Sequence, residues 1–255
     1  PIILAAGANK TAERIRDYAN VGFGGITVGT ATRHFREGNT HRPRIGFLEE
    51  DRAIHNSMGL NNEGVEVIAR RVDAQLVKAH KAGLCVGISV AETPGLSDPE
   101  EKLKDIVESF TIAYRAADYI EINVSCPNTG ESRVDLDMSF SERIFTEIMN
   151  VRNSQTLRKA VYAKLSPDLS ERHLISIMDM LVRTGVNGVV VGNTYPTAKM
   201  SELPMNAKYE DLTPLRADGD CGGMSGRPLF DNMVWNVKYI REHYPQMSVI
   251  ACGGI

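Results

Sequence analysis

Seven short apolar runs, each of strand length, alternate along this chain with longer stretches whose apolar residues recur at helical spacing. The runs are Ile2–Ala6, Gly25–Thr30, Leu84–Val90, Tyr119–Ser125, Val161–Leu165, Gly188–Gly192 and Ser248–Cys252. Most are apolar throughout rather than alternating, as strands buried on both faces should be. Between them, Thr11–Val21 puts Ile15 and Tyr18 on one face and stops at Gly22. Glu63–Ala82 repeats Ile68, Val72 and Leu76, and Ser97 with Glu100 reads as a capping box ahead of Leu103, Ile106, Val107 and Phe110. Ser139–Asn153, Ser170–Thr184 and Leu229–His243 complete the expected helices. Repeated β-α-β order requires a parallel sheet with right-handed crossovers. A doubly wound open sheet and a (β/α)8 barrel both satisfy it.

The 255 residues show no compositional break, so residues 1–255 are read as one domain; α/β barrels reach this length as single units. A formal net charge of −3 gives no basic footprint for nucleic acid. No apolar run approaches a membrane span. The cysteines Cys85, Cys126, Cys221 and Cys252 are scattered, without a CxxC pair. That pattern argues against a zinc site or a disulfide framework and fits a reducing, cytoplasmic compartment, with membrane association through a segment ahead of Pro1 as the alternative expectation. The longest irregular stretch, Tyr195–Gly223, has the length of a lid or a disordered connection.

Polar residues gather just after the strands: Ala5–Lys10, Gly29-Thr30, His55–Asn62, Asn123–Gly130, Lys164–Pro167, Gly192–Thr194, Gly222–Pro228 and Cys252–Ile255. In a barrel those positions form the active-site face. Asn56, Asn123, Asn128 and Asn193 each carry a donor and an acceptor, which suits a flat heterocycle with alternating C=O and N–H edges. They suit a metal poorly, because no cluster of His, Asp and Glu accompanies them. Lys10 and Lys164 add positive charge for a carboxylate or an electron-rich ring, and the late glycines allow backbone N–H groups to approach a phosphate.

With these segments in order over nearly the whole chain, and Asn-x-Ser-Cys-Pro-Asn at 123–128 the most specific of them, the sequence resembles the dihydroorotate dehydrogenase family. The resemblance implies an FMN-containing (β/α)8 TIM barrel that oxidises dihydroorotate to orotate in pyrimidine synthesis. On this reading the eighth strand and helix lie outside the sequence. The polypeptide is then expected to continue past Ile255, and the sheet to be open between its first and seventh strands. The resemblance implies Cys126 as the base that removes the C5 proton. It implies Asn56, Ser57, Met58, Gly59, Leu60, Asn123, Asn128, Asn193 and Thr194 as pyrimidine contacts, and Lys10 near the substrate carboxylate. Ala6, Gly7, Lys10, Thr30, Ser89, Asn123, Lys164, Gly192, Ser225, Gly226 and Gly254 are the implied flavin contacts.

Two class patterns mix in this chain. The membrane-bound, quinone-reducing class has Ser at the base position and soluble classes have Cys, as here. The Ala5–Lys10 start and Gly29-Thr30 look like the membrane class, whereas soluble classes place the carboxylate lysine on strand two, where this chain has Val28. Ser89 stands where the membrane class commonly has Asn. Fumarate, NAD through an electron-transfer partner subunit, and quinone therefore all stand as oxidants, and a homodimer is an allied expectation. The alternative functions are a dihydropyrimidine reductase acting on uracil or thymine, which commonly has His at the Asn128 position, and a non-catalytic flavin-binding fragment.

The remaining residues have plainer readings. Cys85 and Cys252 read as core and Cys221 as an exposed loop thiol. Lys10 at the start of a helix would oppose the helix dipole, which favours a ligand role. Lys164 interrupts a buried strand, where an unpaired Lys is costly. Asn61 and Asn62 read as turn or cap residues. His34 and His41, in Arg33–Arg44, read as solvated loop, and Met178 and Met180 as core or helix surface.

Overall fold

The computed structural model describes residues 1–125, 137–208, 212 and 222–255. Seven parallel strands form one sheet in the order β1 (Ile3–Leu4), β2 (Gly25–Ala31), β5 (Cys85–Val90), β6 (Tyr119–Asn123), β7 (Ala160–Leu165), β8 (Gly188–Val191) and β11 (Ser248–Ala251). Helices α2 (Val65–Lys81), α3 (Pro99–Ala116), α4 (Met138–Ser154), α5 (Glu171–Thr184) and α6 (Phe230–His243) connect successive strands. This is seven of the eight units of a (β/α)8 barrel, with β1 and β11 as the edges of the sheet.

The helix-facing side carries the core. Ile26, Val28, Val86, Ile88, Ile120, Ile122, Val161 and Ala163 pack with Ile68 and Val72 of α2, Phe110 of α3, Ile144 and Phe145 of α4, and Met178 and Met180 of α5. Both methionines are core residues. Each fully buried side chain of this kind contributes roughly 1.5–3 kcal/mol.

The other side of the sheet is polar. On β6, Ile120 and Ile122 face the helices, so alternation turns Tyr119, Glu121 and Asn123 inward. The Tyr119 and Tyr162 rings meet edge-on there at 5.7 Å, and Tyr119 Oη bonds Thr27 Oγ1 at 2.7 Å. Gly87 and Gly188 make the room: a Cβ on Gly87 would fall 2.3 Å from the Tyr119 ring, and one on Gly188 2.8 Å from the Tyr162 ring.

Several expectations need correction. The helix expected over Thr11–Val21 shrinks to α1 (Asp17–Asn20), with Ala12 and Arg14 at positive φ. Side chains from α2 and the preceding loop satisfy that backbone instead. Asn9 Oδ1 accepts from Ala12 N, Gln75 Oε1 accepts from Ile15 N, and Gln75 Nε2 donates to Ala12 O. The cap of α3 is Asp98, which accepts from Glu100 N, not Ser97. Cys85 is exposed at the N-terminal end of β5 and is not core.

Tyr195–Gly223 is neither wholly irregular nor separate. Within it, β9 (Tyr195–Pro196) leads into a 3-10 helix at Thr197–Glu202, and β10 (Gly223–Gly226) begins at its end. Together with β3 (Ile45–Leu48) and β4 (Ala53–Asn56) these strands build a second, antiparallel sheet in the order β3-β4-β10-β9. Among the described residues no helix is long and apolar enough to cross a membrane, and no cluster of three or more His, Cys, Asp or Glu could hold a metal.

Candidate active site

The C-terminal ends of the parallel strands and the near face of the small sheet enclose a cavity of about 380 Å³. Ala6, Gly7 and Lys10 enter it from the loop after β1, and Thr30 from β2. Asn56 ends β4, and Met58 and Leu60 follow it in the next loop. Asn123 and Lys164 come from the last turns of β6 and β7, Gly192, Asn193 and Thr194 follow β8, and Ser225 lies on β10. Lys10 therefore belongs to the cavity, although no helix starts beside it. No helix dipole opposes Lys10, because the first helix starts only at Asp17.

A continuous line of hydrogen bonds crosses the cavity floor. Ser89 Oγ and Thr30 Oγ1 share a bond at 3.0 Å, and Asn123 Nδ2 donates to Thr30 Oγ1 at 3.0 Å. Asn193 Nδ2 donates to Asn123 Oδ1 and to Ser125 Oγ, both at 3.1 Å, and Ser125 Oγ donates to Lys164 O at 2.9 Å. Thr194 N donates to Asn193 Oδ1 at 2.9 Å. At the roof, Asn56 Nδ2 donates to Gly223 O at 3.2 Å across the antiparallel β4–β10 pair. The amides are thus fixed by the frame before any ligand arrives, as a recognition site requires.

Lys164 stands between this floor and the barrel interior. Its side chain is 6% exposed, and its Nζ lies 3.7 Å from Oε1 of Glu121, which is 2% exposed. Cys252 lines the cavity near both, and burial pushes its thiol up, with Lys164 opposing that shift. Cys252 is not a core residue, contrary to its apolar sequence context; it is half-buried and faces the cavity.

The loops around the cavity are held from behind. Asn39 Nδ2 donates to Ser57 O and Oγ, Asn39 N to Met58 O, and Arg36 Nε to Gly59 O. Ser57 and Gly59 therefore face the 36–39 loop, while Met58 and Leu60 face the cavity. Arg36 and Asn39 are supports of the site rather than solvated loop residues, although His34 in the same stretch is exposed. Asn62 is a structural turn residue: its Oδ1 accepts from Thr32 N and Gly64 N. Next to the lining residues Ser225 and Gly253, Gly226 and Gly254 have φ of 108° and 73°, and a Cβ on Gly254 would lie 2.9 Å from Gly226 O. Only glycine fits that close backbone approach.

The chain matches the sequence profile of dihydroorotate dehydrogenase over residues 1–255. The chain belongs to the dihydroorotate dehydrogenase family. Its curated relatives include the dihydroorotate dehydrogenase (quinone) of Brucella anthropi, 32% identical over 260 residues that cover 100% of this chain and 66% of the relative. That of Kocuria rhizophila is 30% identical and is covered over 70% of its length. The chain thus spans about two thirds of the length of these relatives. Among solved structures, the ligand-free dihydroorotate dehydrogenase of Eimeria tenella superposes with a TM-score of 0.83 at 28% identity, covering 100% of this chain and 72% of that one. Its complex with ferulenol gives 0.82 at 27%, covering 100% of this chain and 70% of that one.

Against the residues that the dihydroorotate dehydrogenase resemblance implies, five described positions lie off the cavity wall: Ser57, Gly59, Ser89, Gly226 and Gly254. Ser89 sits behind Thr30 and Gly254 next to the lining residue Gly253. Cys126, Asn128 and Cys221 lie outside the described residues. Sequence reasoning missed Ile45 and Ile54, because β3 and β4 are four residues long and carry no helix-like or core-like period. It also missed Glu121 and Ser125. A charged residue inside an apolar strand was the available signal for Glu121, the same signal that singled out Lys164.

Proposed function

We propose that this chain forms the catalytic barrel of a dihydroorotate dehydrogenase, binding FMN and oxidising dihydroorotate to orotate in pyrimidine synthesis. The observation that carries this reading is the convergence of Lys10, Asn56, Asn123, Asn193 and Lys164, from five separate chain segments, on one cavity.

The residues present fit FMN. A buried cation, Lys164, faces the cavity. Thr30 and Asn123 offer polar edges, while Ala6, Gly7 and Gly192 let a flat ring lie against backbone. When bound, FMN supplies the acceptor for the hydride that leaves C6 of the substrate. The chain's own residues do the rest. Asn56, Asn123, Asn193 and Asn128 hold the amide edges of the pyrimidine. Lys10 pairs with its carboxylate, and Cys126 takes the C5 proton. Ile45, Ile54 and Leu229 add apolar surface to the cavity wall.

For the oxidant, the reading favours a quinone. The Brucella anthropi and Kocuria rhizophila relatives bear that name, and the cavity-side face of the small sheet is apolar and open. Phe47 and Ile54 are paired across β3 and β4 and are 71% and 38% exposed, and Ile45 is 44% exposed. Such a face suits an apolar oxidant better than fumarate or a nicotinamide. Anaerobic addition of dihydroorotate to the purified protein tests the whole reading: bound flavin should bleach, and a ubiquinone analogue should restore its colour faster than fumarate or NAD. A protein that takes up no FMN, or whose FMN is not reduced, defeats the assignment. Faster reoxidation by fumarate defeats only the choice of oxidant.

A further inference from the structure

Glu121 is a carboxylate in the middle of the barrel that the mechanism above does not use. It is 2% exposed, and its Oε1 makes no hydrogen bond. In the β6–β7 register, Asn123 pairs with Lys164 and Glu121 with Tyr162, one step deeper. Side chains two apart on a strand share a face. Glu121 therefore lies directly beneath the layer in which Asn123 and Lys164 meet the ligand. Its neighbours are Tyr119 and Tyr162, whose phenols burial pushes up, and Cys252, whose thiol burial also raises. None of these supplies a negative charge at neutral pH. Burying a carboxylate in a dry barrel is costly unless a cation repays it, and Lys164 Nζ is at 3.7 Å from Oε1. That separation is too long for a hydrogen bond and short enough for strong attraction where water is excluded.

We propose that Glu121 is a positioning residue for Lys164. It draws the ammonium down the barrel axis, fixes its depth under the cavity floor, and cancels part of the positive potential that Lys164 presents to a bound ring. The two charges then act as a dipole with its positive end toward the ligand. A neutral residue at 121 would leave a full, undirected charge there. The choice of glutamate thus sets how strongly the site favours a ring that becomes negative on reduction.

The inference rests on the flavin reading above for one of its two tests. In the first, the reduction potential of bound FMN is measured in the wild type, in Glu121→Gln and in Glu121→Asp. Removing the negative charge should raise the equilibrium constant for two-electron reduction about tenfold, a shift of about +30 mV. Glu121→Asp, which keeps the charge, should stay near the wild type and keeps the test open if the glutamine variant fails to fold. The second test needs no flavin. Acetic anhydride labels Lys164 in the flavin-free protein, and mass spectrometry reads the rate. Without the carboxylate the ammonium gives up its proton more readily, so Glu121→Gln should acetylate at least about threefold faster than the wild type at the same pH. If the wild type binds no FMN, the proposed function fails and the labelling rate alone decides the role of Glu121. An unchanged labelling rate, or an unchanged potential in a glutamine variant that folds and binds FMN, overturns the proposal. Lost stability with neither readout moved assigns Glu121 to the fold only.

Discussion

Asn193 Nδ2 donates to Asn123 Oδ1 at 3.1 Å, tying the loop after β8 to the end of β6 across the intervening strand β7. The bond fixes which way both amides point. Asn123 must present its oxygen to Asn193, because its nitrogen already donates to Thr30 Oγ1. Asn193 must present its nitrogen to Asn123, because its oxygen already accepts from Thr194 N. Each orientation is set by the frame, so a substitution that reverses one polarity is felt by the others.

Asn193→Asp tests this. It puts a carboxylate where Nδ2 now donates to two oxygens, Asn123 Oδ1 and Ser125 Oγ. Facing acceptors and a partly buried charge should cost about 1–3 kcal/mol, or about 2–4 °C of melting temperature per kcal/mol for a chain of this size. Orotate affinity should fall with it. A melting temperature equal to the wild type would show that the amide line is not part of the folded frame.

The parallel sheet was legible because its strand segments are mostly apolar and alternate regularly with helices. The helix-facing residues Ile26, Ile88, Ile120 and Val161 follow directly from that pattern. The small sheet was not legible. Its strands run for two to four residues, and only β3 and β4 are neighbours in the chain, while β4 at 53–56 pairs with β10 at 223–226. No local period announces such pairing. The residues after Lys10 misled for a related reason. Ile15 and Tyr18 have helical spacing, yet Gln75, some 60 residues away, supplies the partners for that backbone. At the site, polar residues in apolar surroundings were readable as functional. Ile45 and Ile54 were not, because apolar lining looks like any other apolar residue.

Asp137 is the N-cap of α4, accepting from Phe140 N at 3.1 Å and from Ser139 Oγ at 3.0 Å. Those bonds to the charged form hold its carboxyl below the usual range. Asp137→Ala should cost about 1 kcal/mol at neutral pH. A lowered folded value means that the stabilisation is present above the ordinary carboxylate pKa and disappears as pH falls through the folded one. Urea melts of wild type and variant should therefore differ at pH 7 and converge toward pH 3. A gap that persists unchanged into acid would mean that packing, not the charged cap, is responsible.

Lys10→Ala separates the carboxylate contact from the amide contacts. Loss of a charge-assisted bond in a partly dry site costs about 1.5–3 kcal/mol. Orotate affinity should accordingly fall by roughly one to two decades, measured by displacement or by quenching of bound flavin. Uracil, which lacks the carboxylate, should lose little. Equal losses for both ligands would place Lys10 in support of the loop or the cofactor instead.

Cys126 follows Ser125, the buried hydroxyl that receives Asn193 Nδ2 and donates to Lys164 O. The proposed base is thus adjacent in sequence to a residue that ties the cavity floor to β7. Cys252 lines the same cavity, but burial pushes its thiol up and keeps it protonated at neutral pH, so it is poorly suited to substitute. Cys126→Ala should slow reduction of the flavin by dihydroorotate about 10²–10⁴-fold, the usual loss for a general base. Orotate binding should survive, because the amide line and Lys10 are untouched. Cys126→Ser should recover part of the rate only as pH rises, since a hydroxyl gives up its proton far less readily than a thiol. Stopped-flow reduction across pH 6–10 reads both effects. A wild-type rate in the alanine variant would remove Cys126 from the mechanism and send the search for the base elsewhere on the cavity wall.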